Sequence, residues 1–192
     1  FGLRHATIKM AGALVGIVTL PVVYLLGKEL FDEEVGIYAS VFLSMSHWHI
    51  IMTRTGYRAS SMPLVLALMW YFLVRAFKTH RRWFYALAGF FFGLGFYTYN
   101  AFMIAPLMIL GLFIVVWLTE GRSFLGQWTN ALSFALVALY TAIPLARYIY
   151  DDPRSYIYRA GTRITNMEKE MPGHLLRVFL SNLRKTFLMF NY

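Results

Sequence analysis

Two arginines four positions apart, in Met52-Thr53-Arg54-Thr55-Gly56-Tyr57-Arg58, carry the most suggestive chemistry in this sequence. A guanidinium offers a planar fork of donors that matches phosphate geometry, so a pair of them suits a phosphate-bearing substrate. The same pair would serve as anchors to lipid phosphate, and the sequence leaves both readings open. Asp151-Asp152 before Pro153 is the second candidate. Adjacent carboxylates could hold a divalent cation with a substrate phosphate completing the shell. Asp before proline also opens turns by bonding nearby backbone, which is the plainer reading. His47 and His49 lie two apart and so diverge on a helix, whereas a metal pair wants a spacing of four. They fit pocket lining better than ligation. With Cys 0, no disulfide or thiolate metal site exists. No nucleotide-binding loop, nucleophile elbow or HExxH zinc motif occurs.

The elements that must position these residues are apolar. The 192 residues are 59% apolar and 14% charged, against about 45–50% and about 25% in soluble domains. A water-soluble globule and a disordered chain are both excluded by that balance. Five intervals carry no charge: Lys9 to Lys28, Glu34 to Arg54, Arg58 to Arg75, Arg82 to Glu120, and Arg122 to Arg147. A membrane-spanning helix needs about 20 apolar residues, and a charge at the bilayer centre costs about 3 kcal/mol or more. The fourth interval fits two short spans joined at Tyr97-Thr98-Tyr99-Asn100. The expectation is an all-α, polytopic membrane helix bundle over 1–150, with about six spans near 8–30, 35–53, 60–77, 83–98, 101–119 and 128–149. The segments are continuously apolar rather than alternating, which argues against barrel strands. Ser44, Ser46, His47 and His49 make the end of the second span poorly suited to lipid. The pairs Gly12/Gly16 and Gly89/Gly93 are expected to let helices approach closely.

Lys and Arg set the sidedness. Connectors after odd-numbered spans hold Lys28, Arg75, Lys78, Arg81, Arg82 and Arg122, while those after even-numbered spans hold only Arg54 and Arg58. The odd set is expected inside, which leaves 54–58, Phe1–Lys9 and 151–192 extracytoplasmic. Lys78 to Arg82 then reads as an ordinary cytoplasmic turn, and Glu29 to Glu34 as a solvated acidic loop. All nine carboxylates lie beyond the expected spans or, like Glu29, at the very end of one. Residues 174–190 have helical periodicity but too many cations to span, so 151–192 is expected to form a loop and an amphipathic helix at the interface.

Three passages in order resemble an internal stretch of a family-39 glycosyltransferase of the C-type superfamily, the group of protein O-mannosyltransferases and lipid A aminoarabinose transferases. They are Leu25 to Phe31 with Gly36 to Ser40, Ser46 to Ile50 and Thr53-Arg54; Gly93 to Tyr99; and Asp152-Pro153 with Arg159 to Thr165 and Phe190 to Tyr192. The resemblance implies a multi-pass enzyme of a prokaryotic plasma membrane. It would move a sugar, hexosyl or pentosyl, from a polyprenyl-phosphate donor to a protein or glycolipid acceptor on the extracytoplasmic face. The family's catalytic Asp or Glu would fall upstream of Phe1, so this stretch alone is expected to be inactive and its general base is not named. Arg54 and Arg58 are the first choices for substrate binding, followed by Tyr57, Asn100, Arg4 and His5, with Arg159 and Arg163 from the outer tail. No metal ligand is assigned, a divalent cation stays open as cofactor, and no nucleic-acid partner is expected.

A transporter or lipid flippase is the rival reading, with a non-catalytic membrane scaffold third. A transporter predicts an internal repeat or polar groups at midplane depth. No repeat is visible here, and the strongest polar cluster lies at a span's end.

Overall fold

A computed structural model describes residues 5–120, 128–152 and Arg184. The described elements run α1 (His5–Leu30), α2 (Glu33–Met45), α3 (His47–Thr55), a 3-10 helix (Arg58–Ser61), α4 (Met62–Thr79), α5 (Arg82–Gly95), a second 3-10 helix (Asn100–Ile104), α6 (Ala105–Glu120) and α7 (Trp128–Asp151). The chain is all-α, with no strand among the described residues. Four stretches are long and apolar enough to cross a membrane: Ala6–Leu30, Ala59–Thr79, Ala101–Thr119 and Thr129–Asp151. The bent pair α2 and α3 makes up to five if it counts as one span.

Two of the expected spans take other forms. The second, 35–53, is broken into α2 and α3 by a 60° bend. Ser46 sits at the break in extended backbone, with φ −65 and ψ 117. Just before it, the Ser44 hydroxyl donates to the Val41 carbonyl at 2.7 Å, the kind of local bond that loosens a helix. The fourth, 83–98, contains the 14-residue α5, about 21 Å of helix against about 30 Å of hydrocarbon. It ends at Gly95, which is buried and covered by the Phe102 ring, so that no Cβ would fit there.

Chain division falls at Pro144, within α7. In the first unit, Phe1–Ile143, α4 and α5 form an antiparallel hairpin. Met69, Leu73 and Ala76 of α4 are fully buried with Tyr85 and Ala88 of α5, Phe102, Ala105, Ile109 of α6 and Phe134 of α7. Aromatic rings fill the space between. Phe72 stacks on Phe91 at 5.6 Å, and Phe92 lies 5.4 Å from Phe134 and 5.9 Å from Phe102. Such ring pairs add about 1 kcal/mol each beyond their burial.

Both GxxxG pairs are seams, as the sequence suggests. A Cβ at Gly16 would lie 2.6 Å from the Thr53 methyl carbon, and one at Gly12 would strike the Thr53 carbonyl, so α1 receives α3 there. Gly89 lies against the Phe134 carbonyl, and a Cβ at Gly93 would be 2.7 Å from Thr141 Cβ, so α5 receives α7. A third contact, Gly27 against Gly36, joins α1 to α2, and a Cβ on Gly27 would lie 2.8 Å from Gly36 Cα, too close to fit.

In the second unit, Pro144–Tyr192, the described part is the last turns of α7 and Arg184. Arg147 Nε lies 3.9 Å from Asp151, a solvent-exposed pair. The Asp152 amide still donates to the Tyr148 carbonyl at 3.1 Å, so the helix runs to the aspartates. The loop and amphipathic helix expected over the rest of 151–192 lie outside the described residues.

Candidate functional site

The knuckle that carries Arg54 is held by what lies under α3. Nine residues make a short helix, and isolated helices of that length are unstable. Thr53 is buried in the notch left by Gly12 and Gly16. Its hydroxyl is satisfied within α3, donating to the carbonyls of His49 at 2.8 Å and Ile50 at 3.2 Å. One turn earlier, His49 Nε2 lies 3.2 Å from the Gly16 carbonyl. A carbonyl only accepts, so Nε2 carries a hydrogen. Gly56 ends α3 in the left-handed region at φ 67, the usual glycine cap. A Cβ there would sit 2.7 Å from Ile8 Cγ2, so the first turns of α1 pack directly under the knuckle.

Beside this seam is a cavity of about 230 Å³. Ser46, Trp48, His49, Met52, Ser60 and Pro63 are among its walls, and no carboxylate among the described residues is. The Ser60 hydroxyl donates to the Tyr57 carbonyl at 2.7 Å and keeps its lone pairs. Trp48 is 72% exposed, so its ring forms an open lip. An apolar wall with a few polar groups at one end is the usual make-up of a small-molecule site.

Arg54 stands in the last turn of α3, exposed, and joins no ion pair among the described residues. Tyr57 is 65% exposed. Arg58 opens the first 3-10 helix, one residue after Tyr57. His5 opens α1, whose start meets the knuckle through Ile8 and Gly56. Asn100 opens the second 3-10 helix, beyond the end of α5. Since α4 leads away from the knuckle and α5 returns, Asn100 belongs to the same end of the unit. Arg4, Arg159 and Arg163 lie outside the described residues. Asp151 closes α7 opposite Arg147, and no group of three or more His, Asp or Glu that could hold a metal occurs among the described residues.

His49 is the residue the sequence undervalued. The two-residue spacing separates the histidines: His47 is exposed, whereas His49 turns to α1 and the cavity. The far end holds a correction. Glu29 is not part of a solvated loop but a link between helices. Its carboxylate meets Arg75 at 3.2 Å and Lys78 at 3.5 Å, and Lys78 Nζ also donates to the Glu29 carbonyl. Glu33 pairs with Lys28 at 2.9 Å and accepts from the Tyr24 hydroxyl at 3.2 Å. Asp32 caps α2 by accepting from the Val35 amide at 2.7 Å, the standard N-cap bond.

These helices, 4 or up to 5 of them long and apolar enough to cross a membrane, together with the family match over residues 1–148, make the chain a multi-pass integral membrane protein of the mannosyltransferase-like glycosyltransferase type. The profile of the dolichyl-phosphate-mannose-protein mannosyltransferase family matches residues 1–148, and the chain belongs to that family. No curated protein and no solved structure matches it. Two of the three passages behind the resemblance fall inside the matched residues, and the third, from Asp152 onward, lies beyond them.

Proposed function

We propose that the chain forms part of a glycosyltransferase that takes a sugar from a polyprenyl-phosphate donor and passes it to an acceptor, a protein or a glycolipid, on the extracytoplasmic face. The observation that carries this reading is the family match over 1–148, with a phosphate-compatible pair of arginines on a knuckle fixed by its own glycine seam. Departure of the sugar leaves negative charge on the lipid phosphate. Fixed cations in a poorly hydrated site stabilise that charge as it develops. Arg54 and Arg58 take this role, with Tyr57, Asn100, His5, Arg4, Arg159 and Arg163 as further contacts to donor or acceptor.

The cavity suits a single sugar ring. Its volume of about 230 Å³ is below the range of about 300–1,000 Å³ typical of drug-sized ligand sites. Trp48 offers an aromatic face, while His49 and the Ser46 and Ser60 hydroxyls offer bonds to sugar hydroxyls. The polyprenyl tail stays in hydrocarbon along the lipid-facing helices, which places its phosphate at knuckle depth. Among the described residues no carboxylate lines the cavity, and the part assigned to the residues that do line it is to bind and orient. A general base belongs to another segment.

The test is sugar transfer by the full-length protein with Arg54→Ala and Arg58→Ala. Transfer should fall at least about a hundredfold in each, the usual scale for losing one charge-stabilising donor, with expression and membrane insertion unchanged. Wild-type turnover in both variants would remove the knuckle from the site.

A further inference from the structure

The end of the bundle opposite the knuckle carries a second feature, independent of the transfer reaction. A groove of about 370 Å³ runs between the first turns of α5 and α7, lined by Arg82, Trp83, Ala86, Ser133, Leu136 and Val137. It exists because Ala86 and Ser133 are small where the two helices begin to approach, before Gly89 and Phe134 close the gap. Its mouth is cationic and its floor apolar. Arg82 and Ala86 are one turn apart on one face of α5, as are Ser133, Leu136 and Val137 on α7. We propose that this groove binds an anionic membrane phospholipid, its headgroup phosphate on Arg82 and one acyl chain along Ala86, Leu136 and Val137.

Charge complementarity carries the assignment. At this end Lys28 is paired with Glu33, and Arg75 and Lys78 with Glu29. Among the described residues, Arg81 and Arg82 join no ion pair and no carboxylate lines the groove. Arg82 Nη2 instead lies 3.4 Å from the Thr129 hydroxyl, which draws the guanidinium across the groove mouth toward α7. Asn130 donates to the His80 carbonyl at 3.3 Å and fixes the same junction. Trp83 is 76% exposed beside the arginines, the place an indole takes at headgroup level. A phosphate there meets the Arg82 guanidinium, with Arg81 the preceding residue in the chain, and the acyl chain below it meets an apolar channel instead of a flat helix face. Zwitterionic lipids bring their own cation to that spot and are disfavoured.

Native mass spectrometry of the full chain, titrated with phosphatidylglycerol and with phosphatidylcholine of identical acyl chains, tests the assignment. Phosphatidylglycerol should bind with a preference of about fivefold, the contribution of one surface cation toward an anionic lipid. Arg82→Gln should abolish the preference, and Arg81→Gln should weaken it if the first variant fails to fold. Ala86→Phe fills the groove while keeping both cations and should lower binding of both lipids. Equal binding of the two lipids by wild type, an undiminished preference in Arg82→Gln, or unchanged binding in a folded Ala86→Phe would each overturn the proposal.

Discussion

His49 shows how much one side chain can settle. Its Nε2 hydrogen is committed to the Gly16 carbonyl, so the ring ties α3 to α1 while the residue lines the cavity. His49→Ala should lower stability by about 1 kcal/mol, the typical net value of one such bond, measured as a drop in thermal midpoint in detergent. His47→Ala, on the exposed face, should leave that midpoint within error. Arg54 differs in kind. It joins no ion pair among the described residues, so its replacement breaks no such link, and a loss of transfer would report on its proposed role. Arg54→Lys should recover only part of the transfer lost in Arg54→Ala, because a point charge cannot reproduce the guanidinium fork. Full recovery would mean that only net charge matters at that position.

At the scale of elements, the glycines decide where helices meet. The Gly16 seam predicts that Gly16→Ala is destabilising by about 1–3 kcal/mol, the range for overpacking a tight contact. Thr53→Ser removes the methyl that a Cβ at Gly16 would strike. The double variant should therefore regain part of the loss, read as non-additive shifts in thermal midpoint. Additive losses would place Thr53 elsewhere. The Glu29 link is weaker than its geometry suggests. The carboxylate side chain is 24% exposed, and its partners Arg75 and Lys78 are 39% and 55% exposed. Solvent screening holds such pairs to about 1 kcal/mol or less. Glu29→Gln should cost no more than that, and the difference from wild type should shrink in high salt.

Helix positions were legible in the sequence because charge is excluded from hydrocarbon, and uncharged intervals therefore trace helices closely. The expected 8–30 and 128–149 correspond to His5–Leu30 and Trp128–Asp151. Both GxxxG pairs were legible too, since a lone Cα surface repeated each turn has little use but close approach. The break at Ser46 was half-legible. The cluster of Ser44, Ser46, His47 and His49 marked that stretch as unsuited to lipid, but polar residues do not say whether a helix bends or merely faces protein. At the end of α5, Phe102 covers Gly95, a contact between residues in successive elements that periodicity does not encode. The Glu29 link was hidden for a similar reason. Its partners lie on a different helix, and a run of Glu and Asp near a helix end looks the same whether solvated or paired. Of the candidate site, the arginine knuckle was visible from residue type, whereas the cavity beside it depends on how α3 folds back.

The whole molecule stands or falls on which compartment each end of the bundle occupies. Arg54, Tyr57 and Arg58 can meet a polyprenyl-phosphate sugar on the extracytoplasmic face only if the knuckle is there, with residues 78–82 on the opposite side. These 192 residues hold no cysteine, so once any cysteine elsewhere in the full-length protein is replaced, an introduced thiol is the sole label site. Tyr57→Cys and Arg81→Cys, each in the full-length protein, are treated in intact cells with a membrane-impermeant maleimide. The account predicts rapid labelling at position 57 and labelling at position 81 only after the membrane is permeabilised. Labelling of both positions in intact cells, or of 81 alone, would contradict it.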